Sequence, residues 1–379
     1  MAVIAIFCDG TWNSPTIPQP THVYRLYAAT AQHDGQSALY LPGVGTGGAV
    51  RGFLGKLIHK IGGGAFGWGL NDNIKLAYMA LATAYQPGDK ILIFGFSRGA
   101  YTARSLAGMI RKAGILADPT PANLRRAFRL YRRAGPGNAP DAGHIRKARK
   151  KLSPGYATSQ QDVEERLREN PEDDSHLVRI TYLGIWDTVG SLGIPETLLG
   201  PIAAIWNARY TFHDTNLSHL VEAARHAVAL DERRVFYAPA LWDNLEASRD
   251  GPGLNAGDRG PTRPYQQVWF VGDHGIAGGS GAARGLSAIT LDWVHDGARE
   301  AGLTLAPGAR LLDADIDPLA PAPEIDDPSL FYRVAHGLLR WRDGPGHDID
   351  LHPTARARTQ ADASYRPGSL RNLMRDLFT

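Results

Sequence analysis

The stretch Ile91-Leu92-Ile93-Phe94-Gly95-Phe96-Ser97-Arg98-Gly99-Ala100 decides the fold. It starts as a continuous apolar run, the pattern of a parallel strand buried on both faces. The run closes in Gly95-Phe96-Ser97-Arg98-Gly99, and Ala103, Leu106, Ala107 and Ile110 then recur at helical spacing. A strand turning sharply into a helix through Gly-x-Ser-x-Gly lifts the serine hydroxyl above the sheet on a strained backbone. Gly95 and Gly99 remove the Cβ atoms that would collide where the turn closes. The helix N-terminus and the Arg98 N–H then face the place where an oxyanion would form beside Ser97. The five-residue pattern alone is weak. Its strand and helix make Ser97 a candidate nucleophile, against the plainer reading of a structural turn that carries a serine.

Four more runs read as buried parallel strands: residues 3–7, 38–41, 178–186 and 267–271. Helical patterns cover 71–85, 101–113 and 218–229. Strands alternating with helices predict an α/β class, a mainly parallel sheet with helices on both faces, in the manner of an α/β-hydrolase. Residues 1–379 are read as one domain. Residues 119–176 form a helical cap insertion, and 305–379 form a C-terminal extension packed on the core.

A serine hydroxyl needs a histidine to take its proton and a carboxylate to hold that histidine's tautomer. In this fold the chain order is Ser, Asp or Glu, then His, each at a strand's C-terminal end. Asp187 ends one apolar strand and is followed by Thr188-Val189-Gly190. His274 follows another, in Phe270-Val271-Gly272-Asp273-His274-Gly275. Among thirteen histidines, His213, His219 and His226 are read in helical or loop contexts, and His336, His347 and His352 lack a preceding strand. Asp231 and Asp273 remain alternative acids. Asp273 is adjacent to His274, where extended neighbours point apart, and Asp231 reads as part of a salt-bridged helix end. The second oxyanion donor is sought in Asp9-Gly10-Thr11-Trp12-Asn13, from the N–H of Gly10 or Thr11. A tight turn held by the Asp9 side chain is the competing reading. The mechanism requires no metal or organic cofactor.

Composition narrows the class. A net charge of +3 on 379 residues argues against a dedicated nucleic-acid binder. The single cysteine, Cys8, excludes an internal disulfide and a Cys-rich zinc site. No apolar run approaches the ~20 residues that span a bilayer. The N-terminus lacks a basic n-region and meets Asp9 at once, so it reads as a strand, not a signal peptide. The expectation is a cytoplasmic chain, with export open only by a route lacking a cleavable signal.

The insertion carries two basic clusters, Arg125/Arg126/Arg129/Arg132/Arg133 and Arg146/Lys147/Arg149/Lys150/Lys151, then an acidic segment over 162–174. A solvated face whose charges largely cancel is the reading preferred over an anionic contact. Gly43-Val44-Gly45-Thr46-Gly47-Gly48 satisfies Gly-x-Gly-x-x-Gly without a tidy βαβ unit, so it reads as a wall of the cleft. Residues 192–210 are an apolar lid or core. The amphipathic stripe 330–341 packs on the domain, with peripheral membrane contact as its other reading.

Taken together, these segments resemble an uncharacterised bacterial α/β-hydrolase domain family that includes the first family of type VI secretion phospholipase effectors. The matching pieces are Asp9-Gly10-Thr11-Trp12-Asn13, Pro42-Gly43-Val44-Gly45-Thr46-Gly47, Gly62-Gly63-Gly64-Ala65-Phe66-Gly67, Gly95-Phe96-Ser97-Arg98-Gly99-Ala100, Trp186-Asp187-Thr188-Val189-Gly190 and His226-Ala227-Val228-Ala229-Leu230-Asp231-Glu232-Arg233. The resemblance implies an α/β-hydrolase core, a Ser–Asp–His triad and phospholipid acyl esters as one substrate class. In the histidine segment, Val271, Gly275 and Ile276 stand where the family carries Pro, Ser and Asp. The expectation is a serine ester hydrolase acting on a lipid. A carboxylesterase for small soluble esters, or a silent domain binding a membrane or protein, are the alternatives.

Overall fold

Val3–Cys8 forms strand β1, which pairs in parallel with β2 (Gln36–Leu41) on one side and β3 (Lys90–Phe96) on the other. Its residues alternate between two cores. Ile4, Ile6 and Cys8 enter one, and Ala5 and Phe7 enter the other. An interior strand covered on both faces has no polar side to show, which is why this stretch is continuously apolar. The sheet continues through β4 (Ile180–Trp186), β5 (Val221–Ala229) and β6 (Tyr265–Phe270), giving six parallel strands in the order β2-β1-β3-β4-β5-β6. The structure, a computed structural model, describes residues 1–11, 13–14, 18–33, 35–44, 69–190, 216–246, 251–321 and 339–373. The glycine-rich stretches at 45–48 and 62–67, the apolar segment 192–210, residues 330–338 of the amphipathic stripe, and His213 and His336 lie outside them.

Helices cover both faces. On the first lie α2 (Leu70–Ala84) and α3 (Arg98–Ala113). On the second lie α1 (His22–Ala29) and, near the C-terminal side of the chain, α8 (Arg284–Glu300) and α9 (Pro353–Ala361). Leu351, Ala355, Tyr365, Leu370 and Leu373 are buried in the second core, so the C-terminal segment packs there.

One expected helix is a strand. Residues 218–229 have an alanine-rich, helix-favouring composition, yet Val221–Ala229 is β5, held between β4 and β6. Neighbouring strands on both sides satisfy its backbone, and that tertiary context overrides a weak intrinsic preference.

The insertion folds as α4 (Pro121–Tyr131), α5 (Gly143–Leu152) and α6 (Gln160–Glu169), with a two-residue strand pair at Tyr156–Ala157 and His176–Leu177. The acidic segment cancels the second basic cluster through specific pairs. Arg146 meets Glu165, and Lys150 Nζ lies 2.7 Å from Glu169 Oε2. Arg149 and Arg166 are buried and share Asp162, at 2.9 and 3.2 Å. Part of the expected solvated face is therefore interior. Arg149 Nη1 and Thr158 Oγ1 donate to the Arg111 carbonyl at 3.4 and 2.9 Å. With a rise of ~1.5 Å per residue along α3, those contacts lie about 20 Å from Ser97.

Candidate active site

An all-parallel sheet brings the C-terminal ends of its strands to one edge, where α/β folds hold their ligands. Ser97 follows β3, Asp187 follows β4 and His274 follows β6. Ser97 has φ 57 and Asp187 φ 35, left-handed values that side-chain-bearing residues seldom adopt. At Ser97 the strain is the elbow itself, with ψ −123 and an N–H bonded to Trp186 O at 3.1 Å. A Cβ on Gly99 would lie 2.1 Å from the Cys8 carbonyl oxygen, and one on Gly95 would lie 2.5 Å from Gly99 O. Only glycine closes this turn.

His274 Nε2 lies 2.9 Å from Ser97 Oγ, and Nδ1 lies 2.5 Å from Asp187 Oδ2. All three side chains are buried. His274 opens the short helix α7 (His274–Gly278), which is capped by the Asp273 side chain accepting from Ile276 N–H. The His274 N–H donates to Glu232 Oε2 at 3.2 Å. The imidazole rests against the rings of Phe96 and Tyr237, with centroids 4.7 and 4.5 Å away. The two alternative acids are engaged elsewhere. Asp273 caps α7, and Asp231 accepts from Gly272 N–H at 2.7 Å and from the Tyr365 hydroxyl at 2.9 and 3.0 Å. Burial pushes the Asp231 carboxyl up to about 7.

The altered histidine loop has a local explanation. Ile276 is buried in the second core and presses on Gly272, whose φ of 115 suits glycine. An aspartate at Ile276 would be buried there among apolar groups. At Gly275 a Cβ would meet its nearest neighbour, Asp273 Oδ1, at 3.4 Å, so a serine would fit.

Asp187 has more partners than a histidine. Ala229 N–H donates to Oδ1 at 2.9 Å, while Arg342 Nη1 and Nη2 donate to Oδ1 and Oδ2 at 2.6 and 2.9 Å. Burial alone would raise this carboxyl, but the Arg342 guanidinium and the His274 hydrogen bond hold it far below the usual carboxylate range. Sequence reasoning missed Arg342 and the role of Glu232. Glu232 stands inside a quoted motif, whereas nothing local marks Arg342. His226, also beside the site, accepts from Thr188 N–H at 3.2 Å through Nε2 and pairs Nδ1 with Gln267 Oε1 at 3.1 Å. Burial, with the charge of Arg104, lowers it to about 3.

The loop after β1 packs against the serine turn. Asp9 accepts from Thr21 Oγ1, from Tyr40 OH at 2.6 Å and from the Gly10 N–H at 2.7 Å. Burial raises Asp9 to about 6 despite those bonds. The Gly10 amide is thereby engaged by its neighbour, which leaves Thr11 as the loop's candidate donor. The Thr11 hydroxyl is buried with no partner among the described residues. On the other side, the amides of Arg98 and Gly99 lie in the first turn of α3, where a helix supplies no internal acceptor. Among the described residues, no group of three His, Cys, Asp or Glu side chains is arranged to hold a metal ion. None of the described helices is long and apolar enough to cross a membrane.

Six parallel strands, a serine on a strained strand–helix turn, and an acid and a histidine on later strand ends define an α/β-hydrolase-like domain. Residues 3–297 match the family of type VI secretion phospholipase effectors, Tle1-like, catalytic domain, and the chain belongs to that family. It is 31% identical over 239 residues to the uncharacterized protein YEL023C of Saccharomyces cerevisiae, covering 60% of this chain and 31% of that one. Two solved structures are similar at low identity. One is an uncharacterized protein from Pseudomonas aeruginosa, at 16% identity and TM-score 0.39, over 80% of this chain and 46% of that one. The other is a Tle1 effector bound to the VgrG spike of the type VI secretion system, at 15% identity and TM-score 0.35, over 74% and 51%. The chain spans about a third of the yeast relative and about half of the two solved chains.

Proposed function

We propose that this chain is a serine hydrolase of lipid carboxylic esters, with phospholipid acyl esters as its substrate class. The observation that carries the reading is the continuous Ser97–His274–Asp187 hydrogen-bond chain, at 2.9 and 2.5 Å. Membership of a phospholipase effector family supports the lipid half.

In this mechanism Ser97 Oγ attacks the ester carbonyl carbon while His274 Nε2 takes its proton. The Nδ1 proton stays on His274 and is donated to the Asp187 carboxylate, which fixes the tautomer and stabilises the imidazolium as it forms. The carbonyl oxygen becomes an oxyanion facing the Arg98 amide at the N-terminus of α3, with the Thr11 amide as second donor. Collapse expels the alcohol, which takes the proton from His274 and leaves an acyl group on Ser97. Water, deprotonated by His274, then attacks the acyl carbon and releases a carboxylic acid, restoring Ser97.

The test is phospholipid vesicle hydrolysis together with fluorophosphonate labelling read by intact mass, on wild type and Ser97→Ala. One adduct and fatty-acid release, both lost in the variant, are expected. Equal hydrolysis by Ser97→Ala overturns the nucleophile. Hydrolysis of soluble esters with no gain on vesicles overturns the lipid assignment and leaves a carboxylesterase.

A further inference from the structure

We propose that Arg342 is a positioning residue of this site, a fixed cation that keeps Asp187 aimed at His274 and its charge in place. The inference rests on the serine-hydrolase reading above. It concerns a part of the chain beyond residues 3–297, the span of the family match.

The geometry is a fork. Both terminal nitrogens of Arg342 meet both oxygens of Asp187, at 2.6 and 2.9 Å, across 155 residues of chain. The same nitrogens also donate to Ala229 O at 2.8 Å and Tyr237 O at 2.5 Å. Arg342 thus ties the end of β5 and the loop after it to the acid. Counting Ala229 N–H and the imidazole, four N–H donors saturate the carboxylate. Asp187 has no rotation left except the one that faces His274 Nδ1. A lysine offers one point charge and cannot reproduce the fork.

Arg342 is itself delivered with care. Arg340 N–H donates to Arg233 O at 2.7 Å, Leu339 bridges to Arg234, and the Arg233 guanidinium covers the Trp341 ring at 4.9 Å. Arg371 Nη1 donates to Arg342 O at 2.8 Å from the far side. Stability alone is a poor reason for such an arrangement, because a buried ion pair seldom outperforms an apolar replacement. Arg342 Nε is also buried without a partner among the described residues.

Removing the guanidinium has a signed consequence. A buried carboxylate with no fixed counter-charge attracts a proton to the Asp187–His274 pair, whichever member carries it. The base is then free only at higher pH, and the acid limb of the rate profile moves up. The other groups around the pair are Glu232 with Arg234, His226 from β5, Asp231 bonded to Tyr365, and Tyr237 on the imidazole. All remain in Arg342→Met, so the change is attributable to one cation.

The experiment measures the pH dependence of fluorophosphonate labelling at Ser97 in the full chain, for wild type, Arg342→Met and Arg342→Lys. Arg342→Met is expected to move the acid limb up by roughly one to three pH units. Arg342→Lys is expected to keep the limb near wild type and to lower the plateau by about ten- to a hundredfold. An Arg342→Met limb that coincides with wild type overturns the proposal. If Arg342→Met does not fold, an unchanged plateau in Arg342→Lys overturns it. A second readout needs no turnover: the downfield imidazole N–H proton resonance, assigned by its loss in His274→Gln. It is expected to shift or broaden in both Arg342 variants, and an unchanged resonance overturns the proposal. Should wild type fail to label at all, the hydrolase reading fails, and this resonance still decides whether Arg342 holds the pair.

Discussion

Gly99 in the first turn of α3 lies directly on the backbone of β1, so close that a Cβ there would sit 2.1 Å from the Cys8 carbonyl oxygen. The neighbour is backbone in the middle of a sheet and cannot turn aside. Gly99→Ala must therefore push α3 away from β1, and Ser97 moves with it. The expected cost is at least about 2 kcal/mol of unfolding free energy, read by urea denaturation, together with loss of Ser97 labelling in the folded fraction. Full stability in this variant would show that the helix start has more room than the structure gives it.

Asp187→Asn separates a site role from a folding role. Asn tolerates the left-handed backbone at φ 35, so strain is not added, but the Arg342 charge is left buried without its anion. A kcat loss of about ten-thousandfold is expected from the wrong imidazole tautomer. Stability is expected to fall by roughly 3–5 kcal/mol. Ser97→Ala should lose activity as well yet keep its stability. Equal stability of the two variants in urea would deny the ion pair its importance.

Asp231 makes stability depend on pH in a defined direction. Its folded carboxyl is raised by burial to about 7 from an ordinary 3.8. The folded state therefore holds a proton that the unfolded state has released over that window. Stability is expected to fall as pH rises from about 4 to 7, with the full penalty present above 7. Asp231→Asn should flatten that decline by roughly 2–4 kcal/mol. Thermal melts at half-unit pH steps measure it, and parallel curves for wild type and variant would contradict the burial argument.

Asp162 holds the insertion together by joining the buried Arg149 and Arg166. Asp162→Ala leaves two buried cations without their anion and is expected to cost roughly 3–5 kcal/mol. Because Arg149 meets α3 at the Arg111 carbonyl, about 20 Å along that helix from Ser97, the labelling rate well below the melting temperature should stay within about twofold. A large loss of labelling in still-folded protein would show that the insertion reaches the site.

Ser97 was legible as a candidate nucleophile because the turn that exposes its hydroxyl is written within ten consecutive residues. The apolar strand, the two glycines and the helix that follows are local instructions, and local geometry obeys them. Asp187 and His274 were legible for a related reason. Each directly follows a continuously apolar strand, and a parallel sheet sends all such ends to one edge. Gly10 depends on more than its local sequence. Its flexibility suited an oxyanion donor, but its amide is engaged by the Asp9 carboxylate, itself held by Thr21 and Tyr40 from elsewhere in the fold.

Val221–Ala229 has an alanine-rich composition that favours a helix, while burial between β4 and β6 decides for a strand. No property of the nine residues alone carries that decision. Arg342 is the clearest case of what only the tertiary structure settles. Its neighbours Trp341 and Asp343 give no periodicity or motif to read, and its partner lies 155 residues away. By itself the sequence determined the class of fold and marked Ser97, Asp187 and His274 as candidates, which the fold brings within hydrogen-bond distance of one another, since short-range steric rules and strand ends encode them. Which carboxylate is held ionised, which amide is already engaged and which distant cation pairs with Asp187 depended on burial and long-range contact, quantities that exist only once the chain has folded.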